Sequence, residues 1–362
     1  MTKAAELAKM GEVLTNSQIG GRRNILINGA MQVAQRHTTT TDSNGFPVDR
    51  FKATVGNMAQ LAQTLNQNTV SDLSGFTKSI KITTTTPETE LTGGKLFRIT
   101  YSAEGLDLQQ LKKGTSDAEK LTLTFYVKSS ITGTYAITFF DDSNSRIIGT
   151  TYTISSANTW EKKTILIAAD TTGTITNDNT QGFKINWILG TGPSFTGTDN
   201  SSWGAYADGK LANGHTAAVI TTNGATWELT GVQLEVGSVA TPFEHRSFGE
   251  ELGLCQRYYY VLGEGSGERM GTGGYYSSSG MQFPVRHPVE MRATPTAEVV
   301  SGTGYYLTNG ASSDAHNSIS IDGATKRSTS FYNSSEASGT AGDHAIFLTA
   351  NASAKVALLS EL

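Results

Sequence analysis

The side chains that could perform catalysis are thinly spread along this sequence and form no local motif. None of the six histidines stands in the HxH or HExxH arrangement that a zinc enzyme would use. The sequence also has no Gly-x-Ser-x-Gly elbow for a nucleophilic serine and no Walker loop for phosphates. The one cysteine, Cys255, has no obvious base beside it and is interpreted as a small buried hydrophobe. We therefore predict that the protein is not an enzyme.

Carboxylate pairs are the other catalytic pattern, because glycan cleavage needs two carboxyl groups flanking the bond. Asp141-Asp142 are adjacent in the sequence, so their side chains would diverge on a strand and suit a turn better. Glu250-Glu251 stand near a predicted helix start, where carboxylates favourably meet the helix dipole. Neither pair indicates a hydrolase, so a polysaccharide depolymerase is the less favoured function.

Aromatic residues in polar, glycine-rich segments are the candidates for ligand binding. Exposed aromatic faces stack on the apolar side of a pyranose, and nearby amides and carboxylates bind its hydroxyls. The segment 191–213 is long for a connection between strands, and it contains Asp199, Trp203 and Tyr206. In the last part of the chain the candidates are Tyr275, Tyr276, Tyr305, Tyr306 and Tyr332. The alternative is that each aromatic covers the edge of a core or contacts another subunit.

The elements that would position these residues are mostly strands. Apolar and polar residues alternate in segment after segment from about 25 to 243, for example along 121–128, and turn signals separate the segments. This pattern predicts an all-β protein whose main domain, 21–246, is a jelly-roll β-sandwich. A connecting helix is predicted over 247–262. A smaller C-terminal β-domain is predicted over 263–362.

Residues 1–20 carry the strongest helix pattern in the sequence. Leu7, Met10 and Leu14 are spaced three and four apart, which places them on one stripe of a helix. A lone helix of this length is marginal in water, so the stripe needs a partner surface. We favour attachment to another chain or oligomerisation over packing on its own domain.

Composition and charge exclude several classes of partner. The net charge is −4 and charged residues make up 17% of the chain, so no clustered basic surface is expected for nucleic acid. No apolar stretch has the length that membrane insertion requires. The beginning of the chain lacks the apolar run of a signal peptide. We expect synthesis in a cytoplasm and, if the protein ends up outside a cell, a route other than classical secretion.

Four motifs, in order along the chain, carry a family resemblance. They are NILINGAMQVAQR at 24–36, LTGVQLEVGSVATPFEHR at 229–246, CQRYY at 255–259 and MRATPT at 291–296. Together they resemble a family of bacteriophage virion proteins usually described as tail fibres. The stretches 121–130 and 157–161 are similar to strands of carbohydrate-binding jelly-roll modules.

The first resemblance implies a virion protein that takes part in host attachment. We predict a homotrimeric fibre subunit whose N-terminal helix binds other phage tail or virion proteins and whose C-terminal β-domain, as the distal tip, binds host surface polysaccharide. The alternative is a purely structural virion component, such as a head spike, decoration or cement protein. The jelly-roll resemblance implies one structural calcium with Glu235 as a ligand, or else a solvent-facing Glu235. No other cofactor is expected.

Overall fold

The computed structural model describes residues 3–4, 22–41, 44–310 and 313–362. The chain forms two compact units, Met1–Phe248 with Leu362 and Gly249–Glu361, where the sequence predicted a boundary after residue 246. The predicted N-terminal helix, with its stripe of Leu7, Met10 and Leu14, lies outside the described residues apart from positions 3 and 4.

Strands dominate the described part of the first unit. They are β1 (Thr39–Thr40), β2 (Phe51–Gly56), β3 (Ala62–Thr69), β4 (Lys78–Thr86), β5 (Leu96–Glu104), β6 (Leu121–Ser129), β7 (Gly133–Asp141), β8 (Arg146–Ile154), β9 (Glu161–Ile167), β10 (Gln181–Thr191), β11 (Gly204–Ala205) and β12 (Thr226–Val236). Short 3-10 helices span Gly105–Leu111, Pro193–Phe195 and Asp208–Lys210.

These strands form two antiparallel six-stranded sheets. The first sheet has the order β1-β3-β4-β12-β6-β9, and the second has the order β11-β8-β7-β10-β5-β2. The chain passes back and forth between the sheets along the sequence, as it does in a jelly roll. These two sheets confirm the predicted β-sandwich. Alternating side chains give each sheet one apolar face, and that face must be covered.

The core of the first unit lies between the two sheets. Phe125 of β6, in the first sheet, contacts Trp187 and Tyr152 of the second sheet, with ring centroids 6.0 and 5.2 Å away. Trp187 and Trp227 are completely buried. Each large apolar side chain buried in this way contributes roughly 1.5–3 kcal/mol to stability.

The outer face of the second sheet is partly covered by its own long connection. Leu211 and Ala212 of this connection pack on Ala136, Ile147 and Ile188, which point away from the main core. The connection between β10 and β12 is therefore a packed cover that hides part of this face, and not a free loop.

The second unit opens with helix α1 (Phe248–Gln256). The sequence predicted a helix to residue 262, and this is wrong beyond Gln256, because β13 (Tyr259–Glu264) follows and pairs with β22 (Lys355–Leu359). The aromatic and β-branched residues of Tyr259–Glu264 favour a strand, and pairing with a segment almost one hundred residues later settles the choice.

The other strands of the described second unit are β14 (Arg269–Ser277), β15 (Gly280–Arg286), β16 (Thr296–Val300), β17 (Tyr306–Asn309), β18 (Ser313–His316), β19 (Ser320–Ala324), β20 (Ser328–Asn333) and β21 (His344–Thr349). A three-stranded sheet has the order β13-β22-β16, and a seven-stranded sheet has the order β18-β17-β21-β14-β15-β20-β19. Phe283, Phe331 and Phe347 stack in the core of this unit. The second unit is therefore built mainly of strands and is smaller than the first.

Candidate functional site

An open cleft lies on one face of the seven-stranded sheet and has a volume of about 910 Å³. Four of its strands, β14, β15, β20 and β21, contribute to the lining, together with the end of β17. The lining residues are Thr272, Gly273, Gly274, Tyr275, Tyr276, Gln282, Pro284, Asn309, Ser330, His344, Ala345 and Ile346. The volume lies in the usual range for ligand sites, roughly 300–1,000 Å³.

Strand alternation explains why polar side chains meet here. Met281 and Phe283 of β15 point into the core and are fully buried, so Gln282 and Pro284 between them point to the opposite face. Pro284 is paired with Ser330 of β20, which brings the serine to the same surface. The cleft is thus the solvent side of a sheet whose other side is core.

Tyr276 is the exposed aromatic group of the cleft. Its side chain is 55% exposed, and Ile346 nearby is 39% exposed. The Tyr276 ring lies against Gly280, where an added Cβ would be 2.4 Å from the ring. Gly280 therefore provides the space in which this ring is seated, with an aromatic surface left open to solvent.

Amide and hydroxyl groups stand beside this ring. The Gln282 amide nitrogen donates to Ser330 Oγ at 2.8 Å and to Asp322 Oδ2 at 2.7 Å. These two bonds fix the orientation of the amide group and use both of its N–H donors. Its carbonyl oxygen remains as a hydrogen-bond acceptor. Asn309 and His344 also line the cleft. The set can accept hydrogen bonds from hydroxyl groups and donate to them.

A second, smaller pocket of about 260 Å³ shares Tyr275 and His344 with the cleft. Its other lining residues are Gly310, Ser338, Gly339, Thr340 and Asp343. The two cavities therefore adjoin, with Tyr275 and His344 as common wall.

Tyr275 is held rigidly by a buried polar network. Its hydroxyl is 2.7 Å from Thr308 Oγ1 and donates to Asp314 Oδ2 at 3.2 Å, and Thr308 Oγ1 is 3.2 Å from His316 Nε2. Burial raises the pKa of the Tyr275 hydroxyl and lowers that of His316, so both groups are neutral at physiological pH. The wall between the two cavities is therefore fixed by neutral groups around one carboxylate.

The other tyrosines predicted in this unit are distributed differently. Tyr332 pairs with Gln282 across β15 and β20, so it shares the exposed face beside the cleft. Tyr305 is half-buried and packs on the core. Tyr306 is 1% exposed, and its hydroxyl bonds to the carbonyls of Val300 and Lys355, which removes it from the ligand-binding candidates.

Trp203, the predicted platform of the first unit, packs over a buried charge network. Its indole nitrogen donates to the Ala168 carbonyl at 2.7 Å, and Lys113 Nζ lies 4.8 Å from the ring centroid. Lys113 bonds to Asp141 and, at 2.7 Å, to Asp170. The ring therefore has a structural role as cover for these ions.

Tyr206 and Asp199 also make local contacts in the connection between β10 and β12. The Tyr206 hydroxyl donates to Asp208 Oδ1 at 2.8 Å, and its ring packs edge-on against Phe140. Burial together with the neighbouring Asp208 carboxylate raises the pKa of Tyr206 to about 12. Asp199 accepts bonds from the backbone and hydroxyl of Ser201. Each of the two side chains is thus bonded to a neighbour two residues away in the sequence.

Glu235, the predicted calcium ligand, is buried in β12. Both of its carboxylate oxygens accept hydrogen bonds from Thr241, so the solvent-facing alternative is wrong. Within the described ranges, no group of three or more His, Cys, Asp or Glu side chains is arranged to hold a metal. The calcium site stays a prediction, and the observed role of Glu235 is to fasten the segment after β12.

The first two family-like motifs meet in the structure. Asn24 is buried, donates to the Val232 carbonyl at 3.0 Å and accepts from the Leu234 and Leu26 amides at 3.1 Å. The Arg246 guanidinium binds the carbonyls of Leu26 and Asn24. Residues more than two hundred positions apart in the sequence are thus bonded in one clasp, and these contacts give Asn24 and Arg246 a structural role.

Sequence reasoning missed Gln282, Asn309, Ser330 and His344. Each is an ordinary polar residue in a short strand or at its end, and only the register between strands brings them together. The available signal was the alternation in 281–285, which separates Gln282 from its apolar neighbours.

No helix in the described part of the chain is both long and apolar enough to span a membrane.

Comparisons with known proteins find weak similarities to solved structures and no similarity of another kind. No protein-family model matches the chain, and no curated protein matches it. The enzymatically active domain of tailspike protein 4 from bacteriophage CBA120 is 13% identical with a TM-score of 0.32, and the match covers 59% of this chain and 21% of that one. The family 11 carbohydrate-binding module of the cellulase Lic26A-Cel5E from Clostridium thermocellum is 13% identical with a TM-score of 0.27. That match covers 58% of this chain and 98% of the module. TmCBM61, solved with β-1,4-galactotriose, is 10% identical with a TM-score of 0.29, and the match covers 59% of this chain and 99% of that one.

Proposed function

We propose that this protein is a non-enzymatic virion fibre subunit that binds host surface glycan through the cleft of its second unit. The observation that supports this most is the exposed Tyr276 ring beside the Gln282 amide and the Ser330 hydroxyl. An aromatic face with adjacent amides and hydroxyls suits a pyranose, which has an apolar face and a rim of hydroxyls.

The lining supports binding without cleavage. Among the described residues that line the cleft there is no Asp or Glu, and the smaller pocket contains one, Asp343. Hydrolysis of a glycosidic bond ordinarily uses two carboxyl groups on either side of that bond. Purified protein should therefore release no new reducing ends from host polysaccharide.

The virion proposal rests on the resemblance of the motifs at 24–36 and 229–246 to phage tail fibres, and these two motifs form the clasp described above. We further propose that the subunit is a homotrimer attached to other virion proteins through residues 1–20, with Leu7, Met10 and Leu14 facing the partner. Several weak sites engaged together would raise avidity by roughly 10²–10⁴. A chain lacking residues 1–20 should fold and bind glycan but fail to join the virion.

The binding test compares two tyrosine variants. Tyr276→Ala should weaken binding of the full-length protein to host cells or purified host polysaccharide, whereas Tyr206→Ala, an equal change on the first unit, should leave binding unchanged. Stacking on the ring contributes about 0.5–1.5 kcal/mol, or roughly two- to tenfold in each site's affinity.

The comparison has clear opposite outcomes. Loss of binding in Tyr206→Ala with normal binding in Tyr276→Ala would move the receptor site to the sandwich. Absence of binding by the unaltered protein to every host glycan would favour the purely structural virion role instead.

A further inference from the structure

The residues around the cleft and the smaller pocket indicate which charge a ligand can carry there. None of the described residues that line either cavity is Lys or Arg. Carboxylates, in contrast, stand around them: Asp343 lines the smaller pocket, Asp314 holds the Tyr275 hydroxyl, and Asp322 holds Gln282. The surroundings of the two cavities are therefore rich in carboxylates, and their described lining contains neither Lys nor Arg to offset that charge.

Asp343 differs from the other two carboxylates in its contacts. Its backbone is fixed, since its amide donates to the Thr340 carbonyl at 3.0 Å and its carbonyl accepts from the Tyr275 amide at 2.9 Å. Asp314 and Asp322, in contrast, already accept hydrogen bonds from the Ser338 amide and from Gln282. Asp343 thus lines the pocket from a fixed backbone position, and its carboxylate accepts no hydrogen bond from a described residue.

The size of the smaller pocket limits what it can hold. Its volume of about 260 Å³ lies below the range of roughly 300–1,000 Å³ typical for larger ligands, so a single sugar ring is the appropriate unit. The adjoining cleft, at about 910 Å³, has room for further residues of the same chain.

We propose, building on the glycan-binding role above, that the smaller pocket is a subsite for one neutral sugar residue and that Asp343 makes the protein reject anionic polysaccharides. Two hydroxyls of a neutral residue donate to the Asp343 carboxylate, and such charge-assisted bonds are stronger than neutral ones. The carboxylate of a uronic acid in the same place would face Asp343 in a partly desolvated pocket, where like charges repel strongly.

The experiment uses matched neutral and acidic probes. Full-length protein is tested against neutral gluco-, galacto- and manno-oligosaccharides and against the same compounds oxidised at C6, which turns the primary hydroxyl into a carboxylate. At least one neutral probe should bind, and its oxidised counterpart should bind at least tenfold more weakly. In Asp343→Asn the neutral affinity should fall several-fold, and the preference for the neutral probe should shrink to less than threefold.

The control variant is Asp199→Asn, which makes the same change in net charge in the first unit and should keep the full preference. Equal binding of neutral and oxidised probes, or an unchanged preference in Asp343→Asn, would overturn the subsite while leaving the glycan role intact. Failure of every probe and of host polysaccharide to bind would reject the glycan role itself.

Discussion

The ring of Tyr276 occupies the space that a side chain on Gly280 would need. An added Cβ at Gly280 would lie 2.4 Å from the ring, far inside van der Waals contact. The hairpin between β14 and β15 thus positions the exposed aromatic group of the cleft by leaving one position without a side chain.

Gly280→Ala should therefore weaken glycan binding, although the new methyl group itself does not contact the ligand. The new methyl group displaces the Tyr276 ring, so the loss should resemble that of Tyr276→Ala, roughly two- to tenfold. Titration calorimetry with the best neutral oligosaccharide measures the effect. Gly323→Ala is the matched control, because nothing lies within 4 Å of its added Cβ. Equal binding by both variants would mean that the Tyr276 ring does not contact the ligand.

Asp170→Asn should strongly destabilise the first unit. Asp170 is 2% exposed at its side chain, accepts two bonds from Arg146 at 2.8 and 2.9 Å, and accepts one from Lys113. Removing the charge leaves Arg146 without its carboxylate partner and Lys113 with Asp141 alone, and breaking a buried ion pair costs about 3–5 kcal/mol. Denaturant unfolding measures this cost. Asp142→Asn, which breaks an exposed pair with Lys184, should cost less than about 1 kcal/mol.

The same carboxylate gives the unit a defined acid sensitivity. Burial opposes ionisation, but the bonds from Arg146 and Lys113 outweigh it and lower the pKa of Asp170 to about 2. Because the folded pKa is below that of the unfolded chain, about 3.9, this stabilisation is complete above pH 4 and is lost as the pH falls through 2. A loss of the same stability already near pH 6 in unaltered protein would have to come from another group.

His215 is one such group in the first unit. Burial lowers its pKa to about 4, and its ring accepts from the Ala136 amide through Nδ1 while Nε2 bonds to the Ala217 carbonyl. The folded form therefore stays neutral where the unfolded form, with a pKa near 6.5, gains a proton. Stability should be full above about pH 6.5 and fall by about 3 kcal/mol as the pH drops towards 4.

The check is the slope of unfolding free energy against pH between 6.5 and 4. His215→Gln should flatten this slope, because glutamine has no group that titrates in this range. An identical slope in the unaltered protein and His215→Gln would show that the histidine does not titrate as its surroundings require.

Asn24→Ala should open the clasp between the two family-like motifs. The change removes the partners of the Val232 carbonyl and of the Leu26 and Leu234 amides, and buried groups left without partners cost about 1–3 kcal/mol each. We expect a loss of about 3 kcal/mol in unfolding free energy. Asn66→Ala, which loses an exposed bond to Thr39, is the control. Equal stability of the two variants would make the clasp a minor contact.

The sequence by itself determined the strands and the β-sandwich. Alternation with a period of two is a local property, and residues such as Leu123, Phe125 and Val127 must face a core whatever their partners are. It also singled out Tyr275 and Tyr276, which line the cleft, because adjacent aromatics amid glycine and serine stand out without any knowledge of strand pairing.

The tertiary structure alone decided which side chains share a surface. The helix expected to residue 262 ends at Gln256, since pairing of β13 with the distant β22 outweighs local helix preference. Trp203 packs over Lys113 because a buried cation is attracted to an aromatic face. Gln282 and Ser330 meet through the register of β15 with β20, 48 residues apart in sequence. Strand register depends on contacts across the whole sheet, so no local pattern could have placed them together.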